Sequence, residues 1–205
     1  MIELSELELD ALTEIFNIGV GLAADVLSQM VSEDVHLSVP LVELTDQVSA
    51  SEKFQTRESR SLCAIRQTYS GEVTTEAILM FPEENSLELV RSMVGGDMPL
   101  EQLTEMEQDA MSEIGNIILN AVISQMSATL GLAFEGSLPS VSMIVGDSLF
   151  LSGHPDGTDA QRSSVLMLTI DFVLSSRQVN GYLAFLLDIP SSERLVERLA
   201  HFIGS

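Results

Sequence analysis

Asp109-Ala110-Met111-Ser112-Glu113-Ile114-Gly115-Asn116 is followed, after a further helix-length run, by Pro139. Asp109, Glu113 and Asn116 stand at i, i+4 and i+7, which on a helix confines them to an arc of about 60°. Met111, Ile114, Ile118 and Val122 occupy the opposite arc and form the inward stripe of an amphipathic helix. Two carboxylates and an amide on the wet side of a helix are ordinary in isolation. The chain, however, states them twice. Asp10, Glu14, Asn17 and Pro40 each lie 99 residues before a counterpart, and nine of the fifteen positions from Leu4 to Ile18 are identical to those 99 residues later. A repeat of about a hundred residues is too long for a solenoid unit, so duplication and fusion is the reading.

The 205 residues are 45% hydrophobic, enough for a real core in one domain built of two halves, 1–99 and 100–205. Net charge is −22, with one lysine, Lys53, and eight arginines against 31 acids. That argues against a nucleic-acid backbone or an anionic membrane as partner and suits one that presents lysine or arginine. The start lacks a basic n-region and no apolar run reads as spanning length, so a cytoplasmic protein without membrane insertion is expected. The lone cysteine, Cys63, has no partner in the chain and fits a reducing compartment.

In order, the pattern predicts a helix over 4–31, opened by a Ser5–Glu8 capping box, with Leu12, Ile15, Gly19, Ala23 and Val26 inward. Gly19 and Ala23 would admit a second helix closely. A strand follows at 35–45, at an edge or bent at Pro40. Residues 46–61, which hold Lys53, Arg57 and Arg60, read as a loop or frayed hairpin. A hairpin at 62–70 and 72–82 turns at Ser70-Gly71, and a helix over 83–94 starts after Pro82. The second half replays this: a helix at 104–130 opened by Thr104 and Glu107, a strand at about 140–151, and a loop at 152–162 with His154. Strands at 163–174 and 179–189, turning at Asn180-Gly181, lead to a helix from Pro190 with Leu195, Leu199 and Phe202 inward. Each half is thus α-β-β-β-α, and the fold class is α+β with pseudo-twofold symmetry, long helices packed on antiparallel sheet.

The pattern D-x3-E-x2-N-x22-P, present at Asp10/Glu14/Asn17/Pro40 and again at Asp109/Glu113/Asn116/Pro139, resembles the signature of the CheC family of chemotaxis phosphatases, which includes CheX and the phosphatase portion of FliY. The likeness spans essentially the whole chain, including "NIG-x-G-x-A" from Asn17 to Ala23 and "EIGNI" from Glu113 to Ile117. It implies hydrolysis of the aspartyl phosphate of a CheY-type response regulator whose own Mg²⁺ and lysine stabilise the transferring charge. What remains to be supplied is a water in line with phosphorus. An asparagine amide can hold one without ionising, which makes Asn17 and Asn116 the candidates. Glu14 and Glu113 would pair with the partner's lysine, and general-base catalysis is the weaker alternative because an exposed carboxylate is a poor base near neutral pH. Asp10 and Asp109 would cap or dock; Pro40 and Pro139 would shape the strand beside each site. Phe16 stands where the second half has Gly115. Its ring next to Asn17 would widen the contact with a partner or obstruct the phosphoryl group, leaving the second site the less encumbered.

No cofactor or metal of its own is expected: His36, His154 and His201 lie in unrelated elements, and two carboxylates on one helix make an incomplete shell for a divalent ion. The alternative function is a non-catalytic adaptor that sequesters the phosphorylated regulator or docks a CheD-type deamidase, which CheC proteins bind. A flagellar-motor role like that of FliY is not expected, since no switch-protein domain follows Ser205. Two sites in one chain make a monomer the expected state.

Overall fold

The computed structural model describes residues 4–31, 34–94, 99–145, 164–174 and 177–204. Helix α1 (Glu6–Val31) opens on the expected capping box: Ser5 N–H donates to Glu8 Oε2 at 2.7 Å and Glu8 N–H returns to Ser5 Oγ at 3.3 Å. Its inward face is wider than a single stripe. Leu12, Ile15, Phe16, Gly19, Val20, Ala23, Ala24 and Leu27 are all buried, because the helix lies against both the sheet and α4 (Leu100–Leu130). Gly19 is where the two long helices meet. A Cβ there would stand 2.9 Å from Val122 Cα, a distance no side chain tolerates. Val26 occupies the same sector two turns later but stays 46% exposed, so its expected burial is corrected.

Strand β1 (Val35–Asp46) pairs with β6 (Ser164–Leu174), and the register breaks between Ser38 and Leu41, around Pro40. Of the two expected alternatives the edge position holds, and the pairing shifts register at the proline. The break also changes which residues face the helices, from Val35 and Val39 before it to Val42 after it.

Residues 46–61 are not a loop. They form α2 (Gln47–Arg57), capped by Asp46 Oδ1 accepting from Ser49 N–H at 2.9 Å. Phe54 and Ala50 of α2 pack on Leu62, Ala64, Ile78, Met80, Val165 and Met167 on the sheet face opposite the long helices. The first half is therefore α-β-α-β-β-α. Polarity concealed a helix that touches the sheet at only two or three positions.

Strands β2 (Ser61–Gly71) and β3 (Thr75–Pro82) form a hairpin as expected, but Ser70 and Gly71 at the end of β2 pair with Glu135 and Phe134, and the connection is residues 72–74; α3 (Glu83–Val94) follows. Helix α4 begins at Leu100, a turn before the expected start; Thr104 lies within it, and Glu107 is buried and accepts from Ser86 Oγ instead of capping. It ends at Gly131 in a left-handed conformation (φ 63°) whose N–H donates to Ser127 O. The short strand β4 (Phe134–Gly136) and β5 (Ser140–Val145) both pair with β2. The remainder of the expected strand to 151 and the loop with His154 lie outside the described residues.

Strand β7 (Arg177–Leu187) runs straight through Asn180-Gly181, so the turn expected there is wrong. Gly181 is small for another reason: a Cβ would come within 2.8 Å of the Phe81 ring on the neighbouring strand. In α5 (Ile189–Gly204) Leu195 and Leu199 are buried as expected, whereas Phe202 is 41% exposed.

All strands join one antiparallel sheet in the order β1-β6-β7-β3-β2-β4, with β5 also on β2. The halves thus exchange their outer strands: β1 completes the second half's β6–β7 pair, and β5 completes the first half's β2–β3 pair. The two inner hairpins meet at β3–β7, where Leu79 faces Leu183.

One further expectation changes. Helix α1 is long and apolar enough to cross a bilayer by length and composition, with a mean hydropathy of 1.3 over its most apolar window. Its broad inward face fills the core, and exposed Ile18, Leu22 and Val26 add to the average.

Candidate active site

The two motif copies sit on the solvent side of α1 and α4, each beside an interruption in the neighbouring strand. Asp10, Glu14, Asp109 and Glu113 are exposed and enter no hydrogen bond or ion pair with another described residue. Asn17 and Asn116 are half-buried at the margin where helix meets strand. Among the described residues the paired cations lie elsewhere. Lys53 and Arg57 bind Glu43, Arg60 binds Glu58, and Arg194 and Arg198 share Glu72. Both helix faces therefore carry uncompensated negative charge among the described residues.

The asparagines are held differently. Asn17 Oδ1 accepts from Val39 N–H at 2.9 Å, while its Nδ2 donates to Val39 O at 3.4 Å and to Thr13 O at 3.0 Å. Val39 is the residue before Pro40, at the register break, so the amide satisfies backbone groups that the sheet ladder leaves open. The structure therefore joins Asn17 to the Pro40 strand, with the amide already engaged.

Asn116 has another environment. Its Oδ1 accepts from Asn120 Nδ2 at 2.8 Å, and its own Nδ2 donates to no described residue. Asn120 Oδ1 lies 3.0 Å from the Tyr69 hydroxyl, which also reaches Gln67 Oε1 at 2.8 Å. Gln67 Nε2 donates to Ser137 O at 2.7 Å, and Ser137 is pinned to Thr68 through its N–H and its Oγ. Pro139 is half-buried just beyond, after an exposed Leu138. Tyr69 and Gln67 are 2% and 4% exposed, so this is a buried polar string under the second copy. Burial pushes the Tyr69 phenol up, which keeps it a hydroxyl donor. Sequence reasoning missed these residues. Asn120, one turn after Asn116, was visible as helical spacing, but nothing in the sequence brings Tyr69 and Gln67 under it.

Phe16 does not border the site. It is fully buried and stacks on Phe185 of β7 at 5.7 Å. Gly115 is its mirror in the second half, where a Cβ would meet Ile65 Cγ2 at 2.5 Å. The Phe/Gly difference is one of core packing, and the expected effect of the ring on a partner is withdrawn.

Among the described residues no three His, Cys, Asp or Glu side chains converge as a metal site. Cys63 is buried, and that burial, with Glu107 nearby, pushes its thiol up to about 12.

Comparison with known proteins agrees with this architecture. The family model described as chemotaxis phosphatase CheX matches residues 63–149, a stretch that contains the second motif copy with Tyr69 and Asn120. The chain is 23% identical to CheY-P phosphatase CheC of Bacillus subtilis over 196 residues, 94% of this chain and 93% of that one. The fold superposes on Thermotoga maritima FliY with a TM-score of 0.78 at 20% identity, covering 98% and 100% of the two chains. It also resembles the CheX–CheY–BeF3–Mg²⁺ complex from Borrelia burgdorferi, with a TM-score of 0.51 at 17% identity and coverage of 85% and 97%. In sequence and in fold, the chain is similar to CheC-like chemotaxis phosphatases.

Proposed function

We propose that the chain hydrolyses the aspartyl phosphate of a CheY-type response regulator, with residues 1–99 and 100–205 as two halves of one cytoplasmic, monomeric domain. The observation that carries this is at the second copy: a half-buried asparagine whose amide nitrogen donates to no described residue, one turn beyond an exposed glutamate that pairs with no described residue. Asn116 Oδ1 keeps one lone pair for a hydrogen of the attacking water, and its Nδ2–H₂ remains for a phosphoryl oxygen. Water held in line raises the rate by orientation, not by proton abstraction. Glu113 pairs with a lysine of the regulator and fixes the docking angle. Mg²⁺ belongs to the regulator, and this chain supplies no metal.

The names of the relatives support the substrate class: one is a CheY-P phosphatase and another was crystallised with CheY, BeF3 and Mg²⁺. The first copy supports a second reading. Asn17, tied at both ends to Val39, is placed to hold a strand, so that face would bind regulator or a CheD-type deamidase without chemistry.

The test is the decay of a phosphorylated CheY-type regulator in Mg²⁺, alone and with wild type, Asn17→Ala, Asn116→Ala or the double variant. Acceleration that Asn116→Ala abolishes is expected. Unchanged decay despite binding would sink the enzyme and favour the adaptor.

A further inference from the structure

We propose that Asn120 and Tyr69 are positioning residues that set the orientation of the Asn116 amide, so that the second motif copy is the one built for chemistry. The inference rests on the reading of Asn116 as the residue that holds water, and extends it to residues outside the motif.

A side-chain amide has an oxygen end and a nitrogen end of almost the same shape. An isolated asparagine at a helix surface can present either. Presenting the wrong end would direct N–H groups at the water's hydrogens and forfeit the in-line geometry. At Asn116 the choice is made by Asn120, whose Nδ2 donates at 2.8 Å and so requires oxygen at that end. Asn120 in turn is oriented by the Tyr69 hydroxyl, 3.0 Å from its Oδ1. The phenol belongs to a strand and is 2% exposed, so the string is anchored in the core and not on the mobile surface of the helix. The phenol has one hydrogen, which is shared in a forked bond between Gln67 Oε1 at 2.8 Å and Asn120 Oδ1 at 3.0 Å.

The first copy provides an internal control. Asn120 corresponds to Gly21 at the 99-residue spacing. Leu41 pairs with Thr169 and its counterpart Ser140 pairs with Arg66, so Tyr69 corresponds to Phe172. Neither replacement can form a hydrogen bond through its side chain. There the amide is oriented by strand backbone instead, and both of its ends are consumed. One copy thus has the polar string and a free amide nitrogen, while the other has neither.

Asn120→Asp keeps the shape and the acceptor toward Tyr69 but gives an acceptor at both ends. Tyr69→Phe keeps the ring and removes the hydroxyl, and Asn120→Gly installs the residue of the first copy. Dephosphorylation of a CheY-type regulator is measured with each full-length variant, kcat and KM being separated. A fall in kcat of about 10- to 100-fold for all three, with KM near wild type, is expected from a misdirected amide. Tyr69→Phe also strands the buried Gln67 Oε1 and lowers the melting midpoint, so the two Asn120 variants carry the test. Wild-type kcat in Asn120→Asp and Asn120→Gly would overturn the proposal and leave the phosphatase reading intact. The side-chain amide of Asn116 is followed in parallel by ¹⁵N relaxation on the free protein. Its order falls in Asn120→Asp if the string sets it, and equal order in wild type and variant would overturn the proposal even were the wild type inactive.

Discussion

The carboxamide of Asn17 closes on both backbone groups of Val39, accepting from its N–H at 2.9 Å and donating to its carbonyl at 3.4 Å. This clasp lies where Pro40 interrupts the pairing of β1 with β6. A residue read first as chemistry is therefore also a structural element. The two roles differ in what a deletion would cost.

Asn17→Ala leaves the N–H and carbonyl of a buried residue without their partner and is expected to destabilise the fold by about 1–3 kcal/mol. Asn116→Ala removes one half-exposed amide contact and should cost well under that. Urea denaturation of the two variants under the same conditions tests the difference. Equal losses would mean that the Val39 clasp contributes nothing.

Gly115 and Ile65 share a space with no room for a methyl group. Gly115→Ala should lower stability by about 1–3 kcal/mol, since Ile65 is fully buried and cannot retreat. Ile65→Ala alone leaves a cavity and costs about 2–5 kcal/mol. In the double variant the new methyl occupies part of that cavity, so the losses should sum to less than additive, which a double-mutant cycle reads directly.

Cys63 should resist thiol reagents. At pH 8 the native thiol is protonated and inaccessible, with its ionisation displaced to about 12 by burial. Iodoacetamide labelling followed by mass spectrometry should find it unmodified in native protein and fully modified in urea. Rapid native labelling would show that β2 opens.

Glu58 is buried and bound by Arg60 through three hydrogen bonds, two from the guanidinium at 2.7 and 2.6 Å and one from the backbone N–H at 3.0 Å, which hold its carboxyl below the usual carboxylate range. A depressed folded-state value means that the ionised pair stabilises above the unfolded value, near pH 4.3, and that this contribution disappears as pH falls through the folded value. Glu58→Gln should therefore be less stable than wild type at pH 7, and the gap should close as the pH falls through the acid range. A gap of constant size across that range would show that the charge is not responsible.

The elements that a period reveals were legible in the sequence, namely the long helices, the β2–β3 hairpin and the edge strand broken at Pro40. Where spacing carried no period, or a strong local signal met a tertiary demand, the reading failed. Helix α2 is polar on most sides because it rests on the sheet at Ala50 and Phe54 only. Asn180-Gly181 has the composition of a turn, yet the glycine is there to admit the Phe81 ring from the neighbouring strand. The site was legible in part. Asp109, Glu113 and Asn116 share a helix face and could be found by counting. Tyr69 lies 47 residues before Asn116 on a different strand, and only the fold brings it under the helix.

The exchange of outer strands has a consequence for synthesis. A ribosome delivers β1 more than a hundred residues before β6, the strand it pairs with. At the usual pace of translation β1 waits on the order of ten seconds with its ladder groups open to water. During that interval the nascent chain holds an edge that could pair with another copy, and the surplus of acidic side chains provides the repulsion that keeps such chains apart.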